Sequence, residues 1–85
     1  MSSGVLSDLP PEIRERVVDL PRTAALVYLE LRATTGARTV RQLSRETSLP
    51  QRSVRRALRR LDTAGLAEST PRHDDPPTPE WRVTE

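Results

Sequence analysis

The sequence predicts a mainly α-helical fold with three core helices, one extra helix at the N-terminus and a small β-hairpin at the C-terminus. Apolar residues recur at three- and four-residue spacing in several segments before residue 65, as on one face of a helix. Trp81 and Val83 instead follow the two-residue period of a strand. Apolar residues make up 34% of the 85 and aromatic residues 2%, so leucine, valine and alanine must form the core.

The chain is expected to form a single domain, residues 9–85, after a flexible N-terminus of residues 1–8. The first helix of this domain is expected over residues 10–20. Proline suits the first turn of a helix, and Glu12 suits its positive end. A short apolar stripe follows on this helix: Ile13, Val17 and Leu20. The stripe fits two roles equally well, packing within its own domain or forming a dimer.

The second helix is predicted over residues 21–34 and is apolar on most sides. A helix that is apolar all round is buried by several neighbours, so this one is expected at the centre of the fold. Gly36 would end it as the left-handed residue at C′. Residues 37–38 then form a short strand or an extended link.

The third and fourth helices meet at a tight turn. Thr39 and Gln42 have the S/T-x-x-E/Q spacing of a capping box, so the third helix should begin there, with Val40 and Leu43 towards the core. Leu49-Pro50 forms the turn. The fourth helix would run over residues 51–64, with Gly65 at its C′ position.

The fourth helix is apolar on one side and positively charged on the other. At about 100° per residue, one face holds the apolar residues: Val54, Ala57, Leu58 and Leu61. The opposite side, which we call the arginine face, holds five arginines: Arg52, Arg55, Arg56, Arg59 and Arg60. A merely solvated face usually mixes charges of both signs. The pattern therefore favours a polyanionic partner.

The positive charge of the chain is concentrated in its middle. Residues 37–65 hold eight arginines against Glu46 and Asp62, whereas residues 1–36 and 66–85 are each net negative and the whole chain is +2. Such segregation is typical of an electrostatic footprint for a polyanion. All fourteen basic residues are arginine, which suits phosphate and guanine but equally fits a GC-rich genome.

The C-terminal hairpin is predicted from two short strands, residues 66–70 and 80–84. A proline-rich loop of residues 71–79, without regular structure, would join them. Trp81 is expected to anchor the hairpin to the core.

Several classes of function are not expected. The absence of cysteine excludes disulfides, thiolate catalysis and cysteine-based zinc sites. Catalysis is not expected either, because one histidine provides no nucleophile–base pair. His73, with Asp74 and Asp75, lacks a second histidine, so we expect no metal site. The composition favours closely packed helices over a ligand-binding cavity, so we expect no cofactor or small-molecule ligand. The apolar runs are too short for a membrane span and no signal peptide is present, so the expected location is cytoplasmic.

Three segments, in this order, resemble the short winged helix-turn-helix proteins of archaea grouped with MarR and TrmB-like regulators: LPRTAALVYLEL, TVRQLSRETSLPQRSVRRALRRLDTAGL and EWRVTE. The resemblance covers about residues 20–84. It implies a small transcriptional regulator that binds double-stranded DNA in a sequence-specific manner. The helix from Gln51 would enter the major groove, and the hairpin, or wing, would reach a minor groove or a phosphate. Many members are homodimers, and residues 10–31 are the candidate interface.

This docking mode assigns roles to the candidate DNA-binding residues. Those in the first two turns of the fourth helix would approach base edges: Gln51, Arg52, Ser53, Arg55 and Arg56. Arg52 and Arg56 are the best candidates for guanine, and Gln51 for adenine or phosphate. Phosphate contacts are expected from Arg59, Arg60, Arg41 and Thr39, although for Thr39 a structural role as a cap is the stronger interpretation.

The sequence departs from the family pattern at two places. Ser48 stands at the turn position that is often glycine, and Asp74 with Asp75 makes the wing acidic. Only Arg72 and His73 remain in the wing to contact DNA. The main alternative is therefore a winged-helix module that binds protein, such as an adaptor in a transcription or replication assembly. An RNA or single-strand binder is disfavoured by the shortage of aromatic residues.

Overall fold

A computed structural model describes residues 9–34, 36–71 and 78–84. Within these ranges the chain forms four helices and then a two-stranded antiparallel hairpin, which confirms the predicted fold class. The elements in chain order are α1 (Pro11–Val18), α2 (Arg22–Ala33), α3 (Val40–Thr47), α4 (Gln51–Thr63), β1 (Ala67–Pro71) and β2 (Pro79–Val83).

The central helix of the fold is α2, as predicted. It packs against α1, α3, α4 and β2, and it contributes four buried side chains: Ala24, Val27, Tyr28 and Leu31. The prediction of burial on all sides is wrong, because Leu26 is 45% exposed and Arg32 is exposed. These two side chains leave part of the surface of α2 open to solvent.

The end of α2 also differs from the prediction. Gly36 has the expected positive φ of 95°, but the helix ends at Ala33 with Thr34 as its extended C-cap, so Gly36 is not the C′ residue. The Thr34 hydroxyl instead donates a hydrogen bond to the Leu31 carbonyl at 2.9 Å. This bond satisfies one of the carbonyl groups left free at a helix end.

The apolar stripe of α1 packs within its own domain. Val17 is buried, and Ile13 and Leu20 pack against the same core. The helix ends earlier than predicted, at Val18, and Leu20 reaches the core from the turn that follows. The predicted flexible N-terminus, residues 1–8, lies outside the described residues.

The predicted capping box is present at the start of α3. Thr39 Oγ1 accepts a hydrogen bond from the Gln42 backbone N–H at 3.1 Å, and Gln42 Oε1 accepts one from the Thr39 backbone N–H at 2.9 Å. At the other end, Ser48 has φ 63° and ψ 23°, the left-handed conformation that glycine adopts without steric cost. The Ser44 hydroxyl donates to the Leu49 carbonyl at 2.6 Å, which fixes the turn into α4.

A Schellman motif ends α4, with Gly65 in the predicted C′ position at φ 74°. The Leu66 N–H donates to the Leu61 carbonyl at 2.8 Å, and the Gly65 N–H donates to the Asp62 carbonyl at 3.0 Å. These bonds satisfy carbonyl groups at the end of the helix. They also turn the chain directly from the charged helix into β1.

The two strands of the hairpin have the predicted length of five residues, but each lies one residue nearer the connecting loop, because β1 and β2 pair from Ala67↔Val83 to Pro71↔Pro79. The expectation that residues 71–79 lack regular structure is therefore wrong at both ends. Proline is tolerated at the first residue of a strand and in edge strands, because it has no N–H to donate to the ladder. Residues 72–77 lie outside the description.

The segment before α3, residues 37–38, pairs with the β2 strand of the hairpin. Arg38 and Trp81 exchange two backbone hydrogen bonds, 2.8 Å and 2.7 Å long. The short strand predicted at residues 37–38 is thus a single bridge. It joins β2 to the helical part of the fold, and it holds Trp81 against the core as predicted.

Ser48→Gly is expected to stabilise the protein by about 0.5 kcal/mol. Glycine removes the steric cost of the left-handed conformation, and the extra freedom of the unfolded chain offsets part of that gain. Urea denaturation measures the change. The control is Ser53→Gly inside α4, which should instead cost about 0.5–1 kcal/mol. Loss of stability in both variants would contradict the backbone argument.

Candidate nucleic-acid interface

The apolar side of α4 is fully buried, and this burial fixes the direction of the arginine face. Val54, Leu58 and Leu61 are 0% exposed, and Ala57 is 2% exposed. All five arginines of the arginine face are exposed. The predicted amphipathic arrangement of α4 is therefore confirmed, with the guanidinium groups on the side opposite the core.

The charge of the arginine face is not neutralised by acids in the described part of the chain. There, the side chains of four arginines form no hydrogen bond or ion pair: Arg52, Arg56, Arg59 and Arg60. The side chain of Arg55 forms one hydrogen bond, to the neutral Gln51. Four of the arginines line one shallow groove on this face: Arg52, Arg55, Arg56 and Arg59. The groove thus concentrates positive charge, with no acid among its described lining residues.

The two acids that bracket α4 in the sequence do not interrupt the arginine face. Glu46 Oε2 lies 3.2 Å from Arg38 Nε, so its charge is paired on the neighbouring helix. Arg38 Nε is buried and makes no well-aligned hydrogen bond, so this contact is an ion pair only. Asp62 lies at the end of α4, in a groove that Arg55 and Arg59 also line.

The hairpin flanks one side of the arginine face. Arg55 and Arg59 share a groove with Pro79 and Trp81 of β2. The floor of this groove also includes Val40 and Leu58. Sequence reasoning missed this contact, because two segments more than twenty residues apart are brought together only by the tertiary fold.

The first turns of α3 and α4 meet beside the Pro71–Pro79 end of the hairpin. One groove is lined by Arg41, Gln51 and Arg55, together with Thr78 and Pro79. Arg41 of α3 thus lies beside Gln51 and Arg55 of α4. Thr39 also borders this groove but is only 6% exposed, with its hydroxyl oxygen in the capping box.

The remaining candidates are divided between the described and the undescribed residues. Ser53 is partly buried on α4. Arg72 and His73 lie outside the described residues, and so do Asp74 and Asp75. Among the residues that are described, no group of histidine, cysteine or acidic side chains could hold a metal ion.

The N-terminal helix supports the far end of α4, which the sequence did not indicate. A Cβ placed on Gly65 would lie 3.5 Å from Arg16 Nη2. This positive group therefore lies at the C-terminal end of α4, where it complements the helix dipole. Leu20 borders the same end of the arginine face, beside Arg56 and Arg60.

A second basic groove lies elsewhere on the molecule. It is lined by Arg32 of α2 and Arg82 of β2, with Gly36 and Thr34 between them. It shares no lining residue with the grooves of the arginine face. Arg82 lies 3.9 Å from Glu68, so part of this charge is paired.

Solved structures with the same fold are transcriptional regulators. A possible transcriptional regulator from Methanosarcina mazei matches 88% of this chain with a TM-score of 0.73 and 12% sequence identity. A MarR family transcriptional regulator from Silicibacter pomeroyi matches 99% of it, with a TM-score of 0.66 and 21% identity. The fold is a winged helix.

A MarR family regulator from Neisseria meningitidis matches 88% of this chain with a TM-score of 0.63 and 28% identity. The chain spans 65%, 64% and 51% of the Methanosarcina, Silicibacter and Neisseria proteins. No protein-family model and no curated protein matches the sequence. The structural neighbours support the MarR and winged-helix part of the sequence resemblance, without restricting it to archaea.

These neighbours are regulators and not enzymes. In the part of the chain that the structure describes, no helix has the length and apolar character needed to span a membrane.

Arg56→Ala is expected to raise the free energy of unfolding by about 0.5–1 kcal/mol at low salt. Arg52, Arg59 and Arg60 lie three or four residues away, and each like-charged pair costs about 0.2–0.5 kcal/mol. Alanine is also the best helix former. Urea denaturation measures the gain, which should shrink at high salt because the repulsion is screened.

The control for this measurement is Arg32→Ala on α2. Arg32 is exposed and has no arginine three or four residues away on its helix. We expect no comparable gain from this variant. A loss of stability in Arg56→Ala would show that the arginine face is not under repulsive strain.

Proposed function

We propose that this protein binds double-stranded DNA in a sequence-specific manner, as a small transcriptional regulator. The observation that carries the proposal is the arginine face: five exposed guanidinium groups on one side of α4, none paired with a described acid. A surface of unbalanced positive charge lowers its free energy by binding phosphates and releasing their counter-ions.

The dimensions of α4 suit the major groove. Thirteen residues span about 20 Å at about 1.5 Å each, and the major groove is about 12 Å wide and admits a helix. We assign base contacts to the first two turns: Gln51, Arg52, Ser53, Arg55 and Arg56. Arg59 and Arg60 would hold phosphates further along, and Arg41 would hold one beside the start of the helix.

The wing would contribute less than α4 to the affinity. In its described part, Arg82 is the one basic residue and Glu68 lies 3.9 Å from it. Contacts from Arg72 and His73 remain part of the proposal, next to Asp74 and Asp75 in the sequence. We therefore expect the hairpin chiefly to position α4.

The comparisons support a regulatory role at the level of fold. Two of the neighbours reported above are described as MarR family regulators and one as a possible transcriptional regulator. For this chain, regulation and DNA binding are proposals, and residues 9–85 would act as one DNA-binding domain.

The proposal is tested by measuring DNA affinity with fluorescence anisotropy. Two duplexes are compared: one of random sequence, and one that the protein has selected from a random pool. If the protein makes about five phosphate contacts, raising the salt concentration from about 50 to about 200 mM should weaken binding by about two to three orders of magnitude. Arg56→Ala, which removes a proposed base contact, should weaken binding to the selected duplex about tenfold and binding to the random-sequence duplex less. Arg32→Ala, which removes an arginine outside the arginine face, should change neither value appreciably.

Absence of salt-dependent duplex binding at tens of micromolar protein would refute the proposal. Capture of an acidic protein by the arginine face, lost in Arg56→Ala, would then favour the protein-binding alternative. Because Arg56→Ala is expected to be at least as stable as the wild type, weakened binding by this variant would not reflect unfolding.

We also propose that the protein is a homodimer, with residues 10–31 as the interface. Two large apolar side chains in this region face solvent in the single chain, Val18 at 64% exposure and Leu26 at 45%. Covering them with a second copy would remove apolar surface from water. A two-fold dimer would present two copies of α4 to two half-sites.

Light scattering coupled to size-exclusion chromatography should give about twice the chain mass of 9.6 kDa. Leu26→Glu should convert the dimer to a monomer, because it places a charge in an apolar interface. Thr63→Glu, at an exposed position on α4, should leave the mass unchanged. A wild-type mass of one chain at tens of micromolar would disprove the dimer.

A further inference from the structure

Arg55 differs from the other four members of the arginine face. Its Nη2 donates a hydrogen bond to Gln51 Oε1 at 3.3 Å, whereas the side chains of the other four form no hydrogen bond within the described residues. Arg55 also lines two grooves against the hairpin, whereas Arg59 lines one of them and the other three arginines of the face line neither. It is therefore the arginine whose guanidinium is most restrained before any ligand binds.

The restraint directs Arg55 towards the start of α4. Gln51 is the first residue of the helix and lies one turn before Arg55 on the same side. On the other flank, Val40, Pro79 and Trp81 border the space beside Arg55. In a helix-turn-helix, the N-terminal residues of the recognition helix approach the base edges. The recognition helix of this chain would be α4.

The same hydrogen bond changes what Gln51 can do. A bidentate contact to adenine uses the amide oxygen and the amide nitrogen together, both directed at the base. The oxygen of Gln51 is turned back towards Arg55 instead. Gln51 is thus better suited to orient its neighbour than to read a base itself.

We propose that Gln51 is a positioning residue that orients Arg55 to read one guanine in the DNA site. A guanidinium has five N–H donors. One is used by Gln51, and two of the remaining four suffice for the O6 and N7 acceptors of guanine. This inference rests on the proposed DNA binding, and it shifts guanine readout from Arg52 and Arg56 to Arg55.

Pre-organisation gives this arrangement its selectivity. A free arginine loses side-chain entropy when it is fixed against a base, and a side chain already held loses less. It also reaches the acceptors of a wrong base less easily, because it cannot reorient without breaking its existing bond. Arg52, Arg56, Arg59 and Arg60, which are not held in this way, are suited to phosphates, whose position along the backbone requires less precise geometry.

The first test measures base preference with a duplex selected by the wild-type protein from random DNA. Each base pair of the selected site is then replaced in turn, and competition gives the relative affinities. Arg55→Ala should abolish a preference of about tenfold or more for guanine at one base pair. Gln51→Ala should reduce the preference at that same base pair about two- to tenfold.

Two further variants separate positioning from general affinity. Gln51→Glu keeps an acceptor for Arg55, so the guanine preference should be retained even though the added negative charge weakens binding to all duplexes. Arg59→Ala should weaken binding to all duplexes to a similar extent and lower the salt slope by about one, with the base preference unchanged.

The second test does not require DNA. Nuclear relaxation of the arginine ¹⁵Nε groups in the free protein should show Arg55 to be more ordered than the other four arginines of the face. Gln51→Ala should reduce the order of Arg55 to their level, and Gln51→Glu should preserve it. Both substitutions are at an exposed position, so the fold should be unaffected.

The inference is overturned if Gln51→Ala leaves the guanine preference intact, or alters a base pair different from the one that Arg55→Ala alters. It is also overturned if Arg55 in the free protein is as mobile as the other arginines of the face. If the wild type binds no duplex, the proposed function fails, and base readout by Arg55 fails with it. Duplex binding without the Gln51-dependent preference would overturn the inference alone.

Discussion

The packing of α4 against α2 is the contact on which the rest of the structure depends. The buried side of α4 consists of valine, alanine and leucine, and once it lies on the core the arginine face can only point outwards. A rotation of the helix that moved these arginines towards α2 would bury unpaired guanidinium groups, at a cost of several kcal/mol for each ion. The hydrophobic burial and the charge distribution therefore select the same orientation of the helix.

That orientation has a cost within α4 itself. Arginines three and four residues apart repel one another, and within the described residues none of the five forms an ion pair with an acid. The helix is stabilised by other means, through the Schellman motif at Gly65, the guanidinium of Arg16 near its last turn and the buried apolar side. Local charge repulsion of this kind is typical of a surface selected for binding, where a partner supplies the missing negative charge.

Trp81 connects the hairpin both to the start of α3 and to the arginine face of α4. Two backbone hydrogen bonds join Trp81 to Arg38, directly before the capping box of α3. The same residue lines the groove beside Arg55 and Arg59. The strand β2 of the wing, the start of α3 and the first turns of α4 thus form one connected surface. Changes in the hairpin are expected to alter how α4 is presented, even without a direct contact between the hairpin and a ligand.

The sequence by itself determined the order of the elements, the capping box at Thr39, the left-handed Ser48, the Gly65 end of α4 and its two faces, because these features depend on residues within a few positions of one another. It misjudged the end of α2, the exposed side around Leu26 and the pairing of Pro71 with Pro79, where neighbours distant in the chain decide. Only the tertiary structure set Trp81 beside Arg55 and Arg16 beside Gly65. Such contacts depend on how the helices pack in three dimensions, and no local pattern of residues encodes them.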